Sequence, residues 1–188
     1  MSQARLQALE EENRRLRALL ALRDTAVKDA LIAQVIARDT RPGEEYLVID
    51  KGRGEGVEPH MVVLTPNGVI GQVFEADSHT ATLMPLTDAA SGIGAVSTRG
   101  RAFGVVKGGK GRACRMVYIS GTSDIRSGDT IVTSGLSQFF PPGLPIGTVE
   151  SVEADPALSS RIAVIKPAAN PAQAEFVLLI KYAPPGER

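Results

Sequence analysis

The sequence predicts a mainly β protein, in which an N-terminal coiled-coil helix precedes two six-stranded β-barrels. Three observations lead to this prediction. Residues 1–27 contain neither glycine nor proline, whereas all 19 glycines and all 12 prolines follow them. In the later part, short runs rich in valine and isoleucine alternate with turn residues, as β-strands do. These runs number twelve, enough for two closed barrels of six strands each.

The helix, residues 1–27, carries the heptad repeat of a coiled coil. One asparagine and four leucines follow each other at spacings of 3, 4, 3 and 4, which are the a and d positions of a seam. These residues are Leu6, Leu9, Asn13, Leu16 and Leu20. The charged residues at the flanking e and g positions are Arg5, Glu10, Glu12 and Arg17. We therefore expect this helix to be a self-association site.

Two details favour a parallel dimer of this helix. In a parallel pair, Arg5 would face Glu10 of the second helix and Glu12 would face Arg17, so both contacts join opposite charges. An amide at the a position of Asn13 finds its hydrogen-bond partner in the same residue of an in-register copy. The alternative is an amphipathic helix folded back on its own domain. With about three heptads, the isolated helix should be only marginally stable.

The remaining runs divide into two sets. Residues 28–88 supply five predicted strands, at 31–38, 46–50, 60–65, 69–75 and 80–84. Residues 89–171 supply six, at 92–97, 102–107, 112–118, 129–133, 146–153 and 160–166. Five strands alone would leave unpaired edges, which proteins usually close or cover. We therefore expect the last run, 175–182, to return within residues 172–183 and complete the first barrel.

An internal similarity suggests that the two barrels are related. Residues 57–65 followed by 68–73 resemble residues 125–133 followed by 143–149. Each copy has a strand, a loop and a glycine-containing strand, and the loop is longer in the second copy. Such units also recur by chance in β proteins, so the similarity is suggestive only.

A two-barrel β protein raises the question of serine-protease chemistry, which needs a serine, a histidine and a carboxylate brought together. The candidates, in chain order, are His60 or His79, Asp88 or Asp124, and Ser127 or Ser134. None of the serines lies in a Gly-Asp-Ser-Gly context. We therefore expect no catalytic residue, and a two-barrel serine hydrolase with a cryptic Ser/His/Asp site is the alternative.

Composition argues against several other functions. Hydrophobic residues make up 43% of the 188 residues and the formal net charge is zero, whereas a nucleic-acid binder usually has a basic excess and stacking aromatic residues. One cysteine, Cys114, and two histidines provide no zinc-type ligand spacing. We expect no cofactor, no metal and no nucleic-acid partner.

Two loops are candidate binding sites. The basic, glycine-rich segment 107–112 could contact a polyanion, but it also has the composition of a solvated hairpin tip. Phe139 and Phe140 are adjacent in a loop rich in glycine and proline, where an exposed ring could contact a partner. The alternative is that both rings fill the end of the second barrel.

The sequence resembles the bacterial rod-shape-determining MreC family. The features that carry the resemblance are segments 11–20, 49–52, 56–57, 68–73, 128–136 and 140–147, in that order. The resemblance implies two barrels distantly like those of chymotrypsin, without a catalytic triad. It also implies a non-catalytic, extracytoplasmic scaffold of the elongation machinery, which organises peptidoglycan synthesis and maintains cell shape.

The same resemblance implies a location and a set of partners. The scaffold would be held in the cell membrane by one N-terminal helix that is absent from this chain. Its expected partners are further copies of itself, the membrane protein MreD and a class B penicillin-binding transpeptidase.

Overall fold

A computed structural model describes residues 3–26, 30–41, 44–109 and 113–184 of the chain. It confirms the predicted fold class, because one helix, α1 (Gln3–Ala26), precedes two closed antiparallel barrels of six strands each. In the described residues, α1 is too polar to be a membrane-spanning helix. Residues 27–29, between α1 and the first strand, lie outside the described residues. Since the first strand begins at Leu31, the helix does not continue into it.

The twelve described strands follow the predicted runs closely. In chain order they are β1 (Leu31–Arg41), β2 (Glu44–Ile49), β3 (Val62–Thr65), β4 (Gly68–Ala76), β5 (Ala81–Pro85), β6 (Ile93–Ser97), β7 (Phe103–Gly108), β8 (Cys114–Ser120), β9 (Thr130–Thr133), β10 (Pro145–Asp155), β11 (Ser160–Pro167) and β12 (Phe176–Ile180). One difference concerns His60 and Met61, which were expected in β3 but precede it, with His60 in a turn. The positive φ of His60, 69°, is incompatible with an extended strand.

The two barrels have the same strand arrangement. Around the first barrel the order is β1-β12-β3-β4-β5-β2, and around the second it is β10-β11-β8-β7-β6-β9. When β1 to β5 are matched with β7 to β11, every neighbour relationship is preserved, and β12 then matches β6. The first barrel thus contains β1 to β5 and is closed by the C-terminal strand β12, whereas the second consists of the six consecutive strands β6 to β11.

Local geometry confirms that the repeat seen in the sequence is a structural repeat. Gly71 pairs with Pro85 across β4 and β5, as Gly147 pairs with Pro167 across β10 and β11, and both ladders have a bulge at the same distance further on. The turn entering β3 has His60 at φ 69°, where the turn entering β9 has Gly128 at φ 90°.

Both barrels are filled by aliphatic side chains. Strand β12 contributes four consecutive buried residues, Val177 to Ile180, to the first barrel. The barrels meet where the equivalent strands β4 and β10 approach each other. At this junction, a Cβ added to Gly68 would lie 2.5 Å from the Pro145 carbonyl oxygen, so the absence of a side chain permits the close approach.

Candidate functional site

The seam of α1 is exposed to solvent along the part that can be described. Leu6 and Leu9 are 50% and 48% exposed, and Asn13 is exposed as well, whereas Leu16 is partly buried. The side chain of Leu20 lies outside the described residues. An apolar stripe left in water on a helix is typical of a surface that another helix covers.

The helix turns a different face towards its own barrel. Glu11 and Arg14, at heptad positions f and b, line a cleft of about 330 Å³ together with residues of the β3–β4 turn and of the segment that leads into β12. These two side chains form an ion pair of 3.1 Å. The face opposite the seam therefore rests near the barrel, and the seam of Leu6 and Leu9 is not buried by the chain itself.

The charged residues beside the seam are also available to a second helix. Arg5, Glu10, Glu12 and Arg17 all have exposed side chains. Within the described part of the chain, none of the four forms an ion pair or a side-chain hydrogen bond. Their charges are thus free to meet complementary charges across a dimer.

The structure separates the two adjacent phenylalanines of the loop between β9 and β10. Phe140 is only 2% exposed and belongs to the core, so its ring is not a surface contact in this conformation. Phe139 is 39% exposed and stacks on the His60 ring, with 4.3 Å between ring centroids. Three residues earlier in the same loop, Leu136 is 80% exposed, a residue that the sequence analysis did not single out. Of the pair, Phe139 is the candidate surface group.

The backbone of this loop is held firmly by Thr133 at the end of β9. Thr133 Oγ1 donates to the Pro141 carbonyl at 2.5 Å and accepts from the Leu144 N–H at 2.8 Å. Since His60 belongs to the first barrel and Phe139 to the loop of the second, their stacked rings join the two barrels across the junction.

An ion cluster in the second barrel was missed by the sequence analysis. Arg99 donates from Nε and Nη2 to the two carboxylate oxygens of Asp129, at 2.7 and 2.9 Å, and from Nη1 to Asp124 Oδ2 at 2.6 Å. Arg126 Nε donates to Asp124 as well, at 3.1 Å. These residues lie in two loops separated by some 25 positions in sequence, so no local pattern reveals them.

This cluster shifts the pKa of both carboxyl groups in the same direction. The hydrogen bonds from Arg99 hold the pKa of Asp129 below its usual value, and the Arg126 N–H bond adds to this effect. The pKa of Asp124 is lowered by Arg99 first and then by Arg126. The guanidinium of Arg99 has its own pKa raised by the same hydrogen bonds. The geometry is that of a structural clamp between two loops.

The histidines proposed for a triad take part in other contacts. His60 stacks on Phe139, and the exposed His79 has its Nδ1 3.2 Å from Glu55 Oε1. The buried carboxylate of Asp88 accepts a hydrogen bond from a backbone N–H two residues later in its own turn. These are contacts that stabilise turns and the barrel junction.

The serines are likewise engaged with the backbone. Ser127 Oγ donates to the Glu150 carbonyl at 2.8 Å, and Ser134 Oγ accepts from the Leu136 N–H at 3.3 Å. Asp124 is bound by arginines and not by a histidine. Among the described residues, no group of three or more histidine, cysteine and acidic side chains is arranged to hold a metal ion.

Comparison with known proteins identifies relatives across most of the chain. A family model described as "Rod shape-determining protein MreC, barrel core" matches residues 35–181. A curated relative, the cell shape-determining protein MreC of Listeria monocytogenes, is 35% identical over 179 residues, which cover 92% of this chain and 61% of the relative. The chain thus spans about three fifths of the length of that relative.

Solved structures give the same picture of the fold. A structure described as MreC superposes with a TM-score of 0.84 at 33% identity, over 92% of this chain and 99% of that one. A chain from a complex between penicillin-binding protein PBP2 and MreC of Helicobacter pylori superposes with a TM-score of 0.66. It covers 81% of this chain and 98% of that one, and at 16% identity the likeness shows the fold alone.

Proposed function

The chain belongs to the rod shape-determining MreC family, and from that premise we propose that it is a non-catalytic scaffold which self-associates through α1 and organises the enzymes of peptidoglycan synthesis. The observation that carries this proposal is the exposed seam of Leu6 and Leu9 on a helix whose other face is directed to its own barrel. A stripe of this kind on an isolated helix is stabilised by a partner helix.

The partners follow from the family. The complex described for the Helicobacter pylori protein contains PBP2, and we propose a class B penicillin-binding transpeptidase as a partner of this chain too. We also propose MreD as a partner, and an extracytoplasmic location in which a membrane helix precedes α1. Phe139 and the neighbouring exposed Leu136 are the side chains that we propose as a partner contact outside the helix.

Self-association is tested by comparing two leucine substitutions of equal chemistry. Leu9→Lys places a charge in the seam, whereas Leu158→Lys places one on an exposed leucine of the β10–β11 hairpin. In sedimentation equilibrium over rising protein concentration, the unchanged chain and Leu158→Lys should form dimers, and Leu9→Lys should dimerise about tenfold more weakly. Equal behaviour of all three would rule out the seam as an association site.

The polar position of the seam provides a second readout. Asn13→Leu should tighten association but admit trimers or shifted registers, because the buried amide no longer selects one alignment. Reversing Glu10 and Glu12 to lysine should weaken the dimer by about 0.5 kcal/mol for each exposed pair. If Asn13→Leu dimerises no better than the unchanged chain, this residue does not lie in a helix–helix interface.

The absence of catalysis is tested with a serine-directed fluorophosphonate probe. We expect no labelling above that of a heat-denatured sample, and no change on Ser134→Ala, because each candidate serine is bonded to backbone groups. Labelling that disappears in Ser134→Ala or in His79→Ala would instead establish the hydrolase alternative.

A further inference from the structure

The second barrel has a positively charged outer face on β7 and β8. Residues 89–123 contain six lysines and arginines and no aspartate or glutamate. Three of these cations lie on or beside the two strands: Arg101 and Arg115 are exposed, and Lys107 is half-buried. Within the described residues, none of the three forms an ion pair with an acidic side chain. Residues 89–171 contain nine basic and five acidic residues, whereas residues 28–88 contain five and ten, so the whole second barrel is the basic one.

Two of these cations are held next to each other by the sheet. Lys107 and Arg115 are direct cross-strand partners in the β7–β8 ladder. Like charges in directly opposite positions destabilise a sheet. An anionic group of another molecule, placed between the two side chains, would remove this repulsion.

An exposed aromatic ring accompanies the cations on each strand. Phe103 of β7 is 44% exposed and Tyr118 of β8 is 59% exposed. Arg101 lies 5.6 Å from the Phe103 ring centre, and Lys107 lies 5.7 Å from that of Tyr118. Each ring therefore has a cation beside it and still keeps much of its surface open to solvent. We call these five residues, Arg101, Phe103, Lys107, Arg115 and Tyr118, the basic face.

Tyr118 reaches this face through a bulge that the first barrel lacks. In the β8–β11 ladder, Val117 and Tyr118 together oppose one residue of β11, whereas the equivalent β2–β5 ladder pairs without a shift. Tyr118 has a positive φ of 60°, which is unfavourable for a bulky residue in a strand. Bulges re-aim side chains and are frequent next to functional sites. Here the bulge turns the Tyr118 ring outwards beside the cations, at a cost in backbone strain.

The fold limits what can bind this face. Strands β7 and β8 each have a hydrogen-bonded neighbour on both sides of a closed barrel, so a peptide cannot be added to them as a further strand. Surfaces that lie on a bilayer bury a broad set of apolar side chains, and this face offers two rings. A ligand must therefore be recognised by the rings and the cations themselves.

We propose that the basic face binds an anionic glycan, the peptidoglycan strand, through its sugars and their carboxylates. Sugar rings have an apolar C–H face that stacks on aromatic rings, and carboxylates bind arginine and lysine through charge-assisted hydrogen bonds. Peptidoglycan combines both groups, because its sugars carry peptide substituents with free carboxylates. The choice of this glycan rests on the proposed function, whereas the requirement for sugars with carboxylates rests on the basic face alone. The scaffold would thereby hold the polymer that its partner enzymes produce.

Binding of the full chain to soluble peptidoglycan strands, released from purified sacculi and freed of attached anionic polymers, tests the proposal. Lys107→Gln with Arg115→Gln removes the adjacent charges, and Phe103→Ser removes one ring. Each variant should bind the strands about tenfold more weakly than the unchanged chain. Tyr118→Asn should have a similar effect, since asparagine tolerates the positive φ and the backbone of the bulge is kept.

Two variants in the first barrel are the matched controls. Arg53→Gln removes an exposed cation and Phe74→Ser removes a ring that is 50% exposed, and neither should change binding. Strands whose carboxyl groups have been converted to amides should bind the unchanged chain about tenfold more weakly, and binding of the untreated strands should weaken as salt rises. Titration calorimetry supplies the affinities.

The proposal is overturned if the unchanged chain does not bind the strands, if the variants of the basic face bind them as well as the controls do, or if the amidated strands bind equally well. It is also overturned if these variants lose binding to phosphatidylglycerol vesicles while binding to the strands is unchanged. Sedimentation equilibrium of the same samples reports the helix dimer separately. A chain that dimerises through α1 without binding the strands contradicts this inference alone, and strand binding that depends on the basic face in a chain without a helix dimer contradicts the self-association proposal alone.

Discussion

The two barrels share one backbone plan but differ in charge and in how they are closed. Strand order, ladder register, bulge position and the left-handed turn before the third strand all correspond. Their charged residues do not correspond, since the first barrel is acidic and the second basic. The comparison indicates that this fold depends on buried aliphatic residues and a few glycines, and that the same backbone plan accommodates outer faces of opposite charge.

The closing strands show how the two halves depend on each other. The structural repeat divides the chain into β1–β6 and β7–β12. The last strand of the first repeat, β6, lies in the second barrel, and the last strand of the second repeat, β12, lies in the first barrel. The second barrel is nevertheless complete within residues 89–171, because β6 directly precedes β7, whereas the first barrel needs β12 from the end of the chain.

The largest effect on this comparison is expected from removing β12. Truncation after Pro171 deletes four side chains that are at most 1% exposed, and burial of each contributes about 2 kcal/mol, or roughly 8 kcal/mol together. The first barrel should open and aggregate through its unpaired edges, while residues 89–170 stay folded. Hydrogen exchange followed by mass spectrometry would report the two barrels separately.

Truncation after Ala183 leaves β12 in place and serves as the control for this experiment. If the first barrel of the shorter protein retains its slow exchange, closure by β12 does not stabilise it. If both barrels lose protection equally, the two halves fold as one cooperative unit.

The second prediction tests whether equivalent glycines have equivalent roles. A Cβ at Gly71 would lie 2.1 Å from the Met84 carbonyl oxygen, and one at Gly147 would lie 2.2 Å from that of Lys166. Either alanine substitution should therefore cost about 3 kcal/mol, because a backbone atom must move. Urea denaturation of the two variants should give similar losses, and Gly92→Ala, whose Cβ would meet only a side chain at 3.7 Å, should cost far less.

Much of this architecture is predictable from the sequence, because its signals are local. The change in glycine and proline content separates α1 from the strands, and the alternation of apolar and turn residues locates the twelve strands. The similarity of residues 57–73 to 125–149 even contains the turn in which His60 replaces a glycine. Each of these patterns is set by neighbouring residues along the chain.

The candidate surfaces are less predictable, because they depend on contacts between distant segments. Whether Phe139 or Phe140 is buried is decided by the course of an irregular loop, which has no periodicity. The clamp of Arg99 joins two loops that are distant in sequence, and only the β7–β8 register brings Lys107 beside Arg115. Only the absence of acidic residues between positions 89 and 123 is visible in the sequence.

The third prediction concerns acid stability, in which the barrels should differ. The pKa values of Asp124 and Asp129 are lowered by Arg99. The two carboxylates therefore stabilise the second barrel at pH values above their ordinary pKa of 3.8. That stability is lost as pH falls through their lower folded-state pKa. In the first barrel, one such carboxyl group is described, that of Glu55, whose pKa is lowered chiefly by the Gly52 N–H.

Thermal unfolding of the chain between about pH 2 and pH 6 should therefore show a greater loss of stability in the second barrel. Asp129→Asn should lower the stability at neutral pH and flatten the dependence below about pH 4. The matched change in the first barrel, Glu55→Gln, should flatten it less. An unchanged pH profile in Asp129→Asn would mean that the clamp does not contribute to stability.

The smallest effect is expected at the turn where the barrels have different residues. His60 has a φ of 69° and Gly128 a φ of 90°, and only the glycine adopts such a conformation without cost. His60→Gly should relieve about 1 kcal/mol of backbone strain but lose a stacking contact with Phe139 of similar size. The global free energy of unfolding should therefore change little, whereas hydrogen exchange in the loop 134–144 should become faster.

His60→Ala removes the ring but keeps the strain, so it should lower the stability by about 1 kcal/mol with the same acceleration of exchange. Gly128→Ala introduces that strain into the second barrel, where an added Cβ meets nothing within 4 Å, and isolates its cost. If exchange in the loop is the same in both His60 variants as in the unchanged protein, the stacked rings do not hold the two barrels together.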